Sequence, residues 1–234
     1  NISFRQISII IPIYNEVENI FLLLEEIKLY LDKKIQYEIL IVNDNSQDNF
    51  LVEYEKLDLS KNINIINNIS NLGQSKSIQN GIMHSKYDNI VTMDGDGQNH
   101  PKDILSLVNE YFENNYALVS GIRKKRKDSF IKKISSKIAN KFRSIILKDN
   151  CPDTGCGLKI FNKNIFLKIP YFNGIHRFIP ALFLSLNQKI LYKSVDHRHR
   201  IRGISKYGTL DRMLKGLIDI VRVLLIIRKI KRND

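Results

Sequence analysis

Cysteine, long apolar runs and glycine-rich phosphate motifs are scarce or missing in this sequence, and each absence excludes a class of protein. The two cysteines, Cys151 and Cys156, provide neither a disulfide framework nor a zinc site, which favours a reducing, cytosolic compartment. No uninterrupted apolar run approaches the roughly 18 residues of a membrane-spanning helix. Neither GxGxxG nor GxxxxGK followed by Ser or Thr occurs, so the common dinucleotide and P-loop sites are excluded.

Acidic residues are also few relative to basic ones. The 234-residue chain has 37 Lys and Arg against 24 Asp and Glu, which gives a net charge of +13. This excess predicts an anionic partner: a nucleic acid, an acidic membrane surface or a phosphorylated substrate. With 43% hydrophobic residues, the chain is long enough to bury a substantial core in one domain.

Short apolar runs alternate with helical patterns through the first half of the chain. Five runs are predicted as strands: Ile7–Ile13, Tyr37–Val42, Asn64–Ile66, Ile90–Met93 and Ala117–Ser120. Between them, apolar residues recur with the spacing of one helix face. Apolar strands linked by helices predict an α/β fold with a mostly parallel central sheet flanked by helices.

A polar motif follows each of the first four predicted strands. The motifs occupy residues 12–16 (Pro-Ile-Tyr-Asn-Glu), 43–46 (Asn-Asp-Asn-Ser), 71–73 (Asn-Leu-Gly) and 94–98 (Asp-Gly-Asp-Gly-Gln). In open α/β sheets, ligands bind at the carboxyl ends of the strands. The carboxylates of Asp94 and Asp96 are ligands that a hard divalent cation prefers when it also holds phosphate oxygens. A solvated turn is the alternative for this pair taken alone.

The second half of the chain predicts two basic amphipathic helices. A cationic run at 123–127 leads into a helical pattern from Phe130 to Ile146, ringed by lysines and by Arg143. A second helix is predicted from Leu210 to Arg232, with an apolar stripe at Leu214, Leu217, Ile218, Val221, Leu224 and Leu225. Such helices either lie on an anionic membrane surface or pack on the core with a solvated basic face. We expect one domain over residues 1–208, with halves of about 1–122 and 123–208, followed by an interfacial helix at 209–234.

The four motifs, with two later segments at 153–161 and 197–208, resemble the family 2 glycosyltransferases of the GT-A fold. They are most similar to the branch that includes dolichol-phosphate mannose synthase and bacterial polyprenyl-phosphate glycosyltransferases. The resemblance covers roughly residues 6–212. It departs at Asn43, where the family usually has Asp, and at Lys137, where it often has Arg. Processive members carry a Gln-x-x-Arg-Trp motif and use hydroxyl acceptors, whereas this sequence contains no tryptophan.

The resemblance implies a nucleotide-sugar site and a metal site at the strand ends. It assigns nucleotide-sugar binding to Pro12, Tyr14, Asn15, Glu16, Asp44, Gly73, Asp94, Arg200, Arg202 and Lys206. It assigns Mg²⁺ or Mn²⁺ to Asp94, Asp96 and Gln98, where the ion would offset charge on a departing nucleoside diphosphate. From the residues alone, Asp44 could instead satisfy a turn, and the three later cations could be surface charges.

The implied acceptor is a polyprenyl or dolichyl phosphate, and the implied catalytic residues are Asp96, Arg123 and Lys137. A phosphate monoester is already anionic at pH 7, so it needs cations to position it, whereas a hydroxyl acceptor needs a general base. For Asp153 the sequence leaves two roles open, a general base or a residue that only forms a turn. His176 and Arg177 either line the acceptor side or are structural, and for the histidine we favour the structural role.

With this resemblance, we expect an inverting, metal-dependent transfer of a hexose from a nucleoside-diphosphate sugar of the GDP-mannose or UDP-glucose type. The protein is expected to be cytoplasmic and peripheral on the inner face of a membrane, with no transmembrane helix in this chain. One alternative is a family 2 glycosyltransferase that acts on a hydroxyl of a glycolipid or saccharide. A more distant alternative, based on charge alone, is a basic nucleic-acid-binding protein.

Overall fold

The computed structural model describes residues 5–55, 62–124, 143–199 and 209–233, and every structural statement below refers to these residues. The strands are β1 (Gln6–Ile13), β2 (Gln36–Asn43), β3 (Ile63–Asn67), β4 (Asn89–Thr92), β5 (Leu118–Arg123), β6 (Lys159–Asn162) and β7 (Ile190–Val195). The helices are α1 (Val17–Leu31), α2 (Phe50–Glu55), α3 (Gln74–His84), α4 (Lys102–Glu113), α5 (Lys163–Phe166), α6 (Ile179–Ser185) and α7 (Thr209–Asn233). A short 3₁₀-helix spans Ile175–Arg177.

The strands described form one sheet in the order β3-β2-β1-β4-β6-β5-β7. All neighbours pair in parallel except β6, which is antiparallel to both β4 and β5. The five predicted strands are confirmed as β1 to β5, and the mostly parallel sheet is confirmed with them. Strands β6 and β7 were not predicted from the sequence.

Two apolar layers cover the sheet, one on each face. On the first face, α1 and α4 pack on strand residues such as Ile9, Val91 and Ile160. On the second face, α3, α6 and α7 pack on residues such as Ile10, Ile90 and Phe161. Because side chains alternate along a strand, the two sets come from successive positions of the same strands. The central strands are apolar on both faces for this reason.

Of the predicted helix from Phe130 to Ile146, the described part covers residues 143–147, which are helical. Its orientation differs from the prediction. Arg143, expected on a solvated basic face, is buried and forms a bidentate ion pair with buried Asp149 at 2.6 and 3.0 Å. Ile145, expected on the apolar face, is 65% exposed. The buried carboxylate of Asp149 turns Arg143 inward, because a buried charge is tolerated only when it is paired.

The predicted C-terminal helix is present as α7, and its predicted apolar stripe is divided: Leu224 packs on the core, whereas other members face away from the protein. Asp219, Ile220 and Val223 are buried against the core. Ile218, Val221 and Leu225 lie on the opposite side and are each more than half exposed. In the part of the chain that the structure describes, no helix combines the length and the apolar character needed to cross a bilayer.

Helix α3 approaches the sheet so closely that one of its residues must lack a side chain. A Cβ on Gly81 would overlap Ile10 Cγ2 and lie 3.0 Å from Val42 Cγ2.

Gly81→Ala, normally a gain of about 1 kcal/mol in a helix, is therefore expected to lower the free energy of unfolding by about 1–3 kcal/mol. Gly216→Ala in α7 is the control and should leave stability unchanged or raised, because no described atom beyond its own stretch of helix would lie within 4 Å of the added Cβ. Urea denaturation measures both, and a stabilised Gly81→Ala protein would contradict the packing.

Candidate functional site

The carboxyl ends of six parallel strands, all except β6, meet at one edge of the sheet. Ile13 of β1 pairs with Asn43 of β2, and β4 ends beside them at Thr92. Because β6 is antiparallel, its first residue, Lys159, also reaches this edge and pairs with Thr92. The polar motifs that follow β1, β2, β3 and β4, together with Arg123 at the end of β5, are thus gathered at a single edge.

Asp94 lies at the centre of this edge. Its Oδ1 accepts a 2.7 Å hydrogen bond from Gln74 Nε2, at the first turn of α3. The carboxylate lies directly against the backbone of Gly157, where a Cβ would overlap three carboxyl atoms. Loss of solvent around the carboxyl, reinforced by the charge of Asp96, raises the pKa of Asp94 to about 6, and Lys159 and Arg123 oppose the rise. A carboxylate whose pKa is raised by burial and by a neighbouring carboxylate is typical of a functional site.

Asp96 follows on a turn that two glycines make possible. A Cβ on Gly95 would lie 2.7 Å from Ile13 Cγ2, and Gly97 has a φ of +71°. The backbone N–H of Gln98 then donates to Asp96 Oδ1 at 3.1 Å. Among the described residues, no three His, Cys, Asp or Glu side chains gather as a ready metal cage. Two carboxylates and an amide would leave the other positions of a hard cation to phosphate oxygens and water, which is how Mg²⁺ is usually held.

Asp44 anchors the loop that leads from β3 into α3. Its Oδ1 accepts from Asn68 Nδ2 at 2.7 Å and from the N–H of Leu72 at 2.8 Å. Its Oδ2 accepts from the N–H of Gly73 at 2.8 Å, and Gly73 has a φ of +85°, which favours glycine. The buried carboxylate therefore holds Gly73 in place beside the strand ends. Its predicted contact with a nucleotide stays a prediction.

The loops after β1 and β2 interlock through side chains. Ser46 Oγ accepts from the N–H of Asn15 at 3.0 Å, and Asn15 Oδ1 accepts from the N–H of Gln47 at 2.7 Å. Asp48 accepts from the N–H of Val17 at 3.0 Å, at the start of α1. Glu16 accepts from Asn19 Nδ2 at 2.9 Å. Pro12 and Tyr14 are half-buried on the same segment, so the predicted donor-site residues of this loop are held as one unit.

Arg123 forms a bidentate ion pair with Asp153. Its Nε donates to Oδ2 at 2.7 Å and its Nη2 to Oδ1 at 2.6 Å, and the backbone N–H adds a 3.2 Å bond to Oδ2. Gly155 lies against the guanidinium, where a Cβ would come within 2.8 Å of Nη2. The planar group is therefore fixed in direction while it lies within electrostatic range of Asp94. Lys137, predicted as its partner cation, lies outside the described residues.

The segment before Arg200, residues 196–199, is docked on the loop after Asp96. The N–H of Arg198 donates to the carbonyl of Gln98 at 2.8 Å, and the Arg198 guanidinium forms two 2.7 Å bonds with Glu26. Asn99 and His197 pair as an antiparallel bridge. Arg200, Arg202 and Lys206 themselves lie outside the described residues.

Sequence analysis did not identify three residues that shape this site. Gln74 contacts Asp94, Arg198 pins the 196–199 segment, and buried Lys159 donates from Nζ to the carbonyl of Cys156. Of these, only Lys159 could have been identified from the sequence. A lysine inside the apolar run Leu158–Phe161 is either buried or at the edge of the sheet, and both positions are unusual for a lysine. Gln74 and Arg198 contact partners 20 or more positions away in sequence, and no local pattern indicates such pairs.

Asp94 should reduce the stability of the metal-free protein at neutral pH. Its pKa is raised from 3.8 to about 6, so ionisation of this carboxyl disfavours the folded state. The resulting loss of stability is complete above about pH 6, and it is absent below about pH 4, where the carboxyl is protonated in both states. Asp94→Asn should raise the free energy of unfolding by about 1–3 kcal/mol at pH 7.5, and the gain should vanish near pH 3.5. Urea denaturation in EDTA measures it. Asp196→Asn, which removes an exposed partner of Lys102, is the control and should not raise the free energy of unfolding at either pH. If Asp94→Asn lowered the free energy of unfolding at pH 7.5, the result would contradict the destabilising burial of the Asp94 carboxylate.

Comparison with known proteins identifies the family. The sequence profile of Glycosyl transferase family 2 matches residues 8–169. A dodecaprenyl-phosphate galacturonate synthase of Rhizobium johnstonii is 34% identical over 229 residues, covering 95% of this chain and 68% of the relative. An undecaprenyl-phosphate 4-deoxy-4-formamido-L-arabinose transferase of Aeromonas hydrophila is 29% identical over 225 residues, covering 94% of this chain and 68% of the relative.

The fold has solved counterparts at low sequence identity. Glucosyl-3-phosphoglycerate synthase from Mycobacterium tuberculosis, crystallised with Mn²⁺, UDP-glucose and glycerol 3-phosphate, matches with a TM-score of 0.68 at 14% identity, covering 94% of this chain and 79% of that one. The same enzyme with Mg²⁺ and UDP matches equally well, over 92% of this chain and 79% of that one. These likenesses confirm the GT-A architecture expected from the sequence. With the family profile covering most of the chain, the protein belongs to glycosyl transferase family 2 and is a glycosyltransferase.

Proposed function

We propose that this glycosyltransferase moves a sugar from a nucleoside-diphosphate sugar to a polyprenyl phosphate, with inversion at the anomeric carbon. The names of both curated relatives specify a polyprenyl-phosphate acceptor, and the chain spans about two thirds of their length. In the reaction, an acceptor phosphate oxygen forms the bond to C1 as the bond from C1 to the diphosphate breaks. The observation that carries the proposal is the Asp94 and Asp96 pair at the same sheet edge as the fixed guanidinium of Arg123.

The donor side of the proposal rests on Asp94, Asp96 and Gln98, which would hold Mg²⁺ or Mn²⁺. The oxygen-only ligand set and the raised pKa of Asp94 fit a hard cation, because a cation replaces the proton that this carboxylate otherwise takes up. A bound ion would offset the charge that develops on the departing diphosphate. The docking of the 196–199 segment beside Gln98 supports roles for Arg200, Arg202 and Lys206 at the same diphosphate.

The acceptor side rests on Arg123, with Lys137 as a second cation. Both oxygens of Asp153 accept hydrogen bonds from Arg123, so the contacts favour a positioning role for Asp153 over proton removal. This fits an acceptor that needs no general base, since a phosphate is already ionised at pH 7. A guanidinium fixed in orientation before the substrate arrives loses less conformational entropy when it binds.

The membrane side rests on α7. The exposed apolar residues Ile218, Val221 and Leu225 share the outward side of this helix with Arg222 and Lys229. An exposed apolar face bordered by basic side chains matches a helix that lies in the headgroup region of an anionic membrane. A polyprenyl phosphate would present its phosphate at that same level. We place the site on the cytoplasmic face, where nucleotide sugars are available.

The direct test is transfer from a panel of donors, including GDP-mannose, UDP-glucose and UDP-galacturonate, to a short polyprenyl phosphate in anionic vesicles with Mn²⁺. One donor should yield a sugar phosphodiester that mild acid cleaves. Asp96→Asn should lower that rate at least 100-fold without changing the circular dichroism spectrum, because charge stabilisation of the leaving group is lost. Asp88→Asn, an exposed carboxylate before the start of β4, is the matched control and should keep full activity. Transfer retained by Asp96→Asn, or no product from any donor, would contradict the proposal.

A second prediction separates the acceptor from the donor. Arg123→Ala should raise the KM for polyprenyl phosphate about tenfold or more and leave the KM for the sugar nucleotide within about twofold, because a charge-assisted contact to phosphate is lost. Arg123→Lys should be intermediate, since it keeps the charge without the fork. Lys124→Ala, an exposed cation next in sequence, is the control. If Arg123→Ala raised the donor KM instead, Arg123 would belong to the donor side.

A further inference from the structure

His176 faces the first turn of α3, directly beside the residues that hold Asp94. Its Nδ1 lies 2.6 Å from Ser75 Oγ, and the N–H of Gly174 donates to the same oxygen at 2.8 Å. Ser75 is 1% exposed, so water does not reach the hydroxyl. If the proton were on Nδ1, the hydroxyl proton would have no acceptor among the described contacts. Ser75 therefore donates to Nδ1, and the hydrogen of the neutral ring is on Nε2.

The position of His176 follows from two consecutive residues of α3. Gln74 bonds Asp94 while Ser75 bonds His176, so the first turn of α3 contacts both the carboxylate and the imidazole. Lys159 lies within electrostatic range of both Asp94 and His176. The proposed acceptor cation, Arg123, is on β5, which β6 separates from β4. Helix α3, which carries the hydrogen-bond partner of His176, packs on β1 and β2, across β4 from β5.

The ring is neutral at every physiological pH. Burial, reinforced by the charges of Arg177 and Lys159, lowers the pKa of His176 to about 3. A neutral N–H suits hydroxyl and carbonyl-type oxygens, whereas the phosphates of a substrate are matched by the cations of the site. The sugar of a nucleotide sugar is attached to the β-phosphate and must lie within a few ångströms of the Asp94 and Asp96 pair. The half-buried imidazole is a polar side chain that the donor and acceptor roles above do not use.

We propose that His176 is a sugar-binding residue, whose Nε2–H donates a hydrogen bond to an oxygen of the transferred sugar. Ser75 is its positioning residue, because the bond to Nδ1 sets both the ring orientation and the tautomer. The inference rests on the proposed function and adds to it a contact that distinguishes the nucleotide sugar from the nucleoside diphosphate.

The test compares binding of a nucleoside diphosphate with binding of the corresponding sugar nucleotide, using the donor that the wild-type enzyme turns over. Calorimetry in Mn²⁺ should show that His176→Ala weakens the sugar nucleotide roughly three- to tenfold and leaves the diphosphate within twofold, the effect of one lost neutral hydrogen bond. His176→Gln should restore part of the loss, because its amide N–H reaches the position of Nε2, and His176→Asn should not. His84→Gln, at the exposed far end of α3, is the control and should change neither affinity.

A structural role for His176 would give a different result. Ser75→Ala should change the ¹⁵N chemical shifts of the His176 ring away from those of the Nε2–H tautomer and weaken only the sugar nucleotide. Equal loss of both ligands in the alanine and glutamine variants, or no loss in any variant, would overturn the inference while leaving the proposed transfer intact. If the wild-type protein bound no sugar nucleotide at all, the proposed function would fail first and the inference with it.

Discussion

Confinement of the Asp94 carboxylate at the edge of the sheet is the constraint on which the rest of the site depends. Gln74 donates to it from α3, Gly157 leaves room for it, and Lys159 and Arg123 partly balance its charge. These contacts hold the carboxylate within electrostatic range of a second negative charge, that of Asp96. We expect the metal-free protein to lose stability through this arrangement, which is the usual consequence of a site organised for a ligand that is not yet bound.

Other acidic residues organise the backbone around that pair. Asp44 holds the loop that begins α3, Asp48 holds the start of α1, and Asp153 fixes Arg123. Each carboxylate accepts from at least one backbone N–H near the sheet edge, so each loop is tied to another element. Loops that are held in this way can present side chains at fixed positions, which is a requirement for precise binding sites.

The C-terminal helix is linked to the same region. Arg177 Nη2 donates to Asp219 Oδ2 of α7 at 2.6 Å, and Arg177 follows His176 directly in sequence. A Cβ on Gly174 would lie 2.7 Å from the same Asp219 oxygen, so the segment that bonds Ser75 also packs on α7. The segment of residues 173–177 thus contacts both α7 and the first turn of α3.

Sequence patterns predicted those parts of the protein that depend on local order. The first five strands and α1, α3 and α4 follow from apolar runs and helical spacing, and the Asp94 and Asp96 pair follows from its place after a strand. Strand β6 escaped prediction because it is four residues long and begins with a lysine, whose burial depends on partners in β4 and β5. The apolar stripe on α7 was identified from its periodicity, but the buried residues Ile220 and Val223 beside it were not, because periodicity shows that two faces differ and not which of them the protein covers. Arg143 was placed on the wrong face since its partner, Asp149, lies beyond the helical pattern.

The central claim is that Asp94 and Asp96 jointly hold the cation that stabilises the departing diphosphate. Anomalous diffraction from crystals grown with Mn²⁺ and the nucleoside diphosphate tests it without any assumption about the acceptor. We predict a single strong manganese peak about 2.1 Å from a carboxylate oxygen of this pair and in contact with both phosphates. A diphosphate bound at the sheet edge with no manganese near either aspartate would contradict the account.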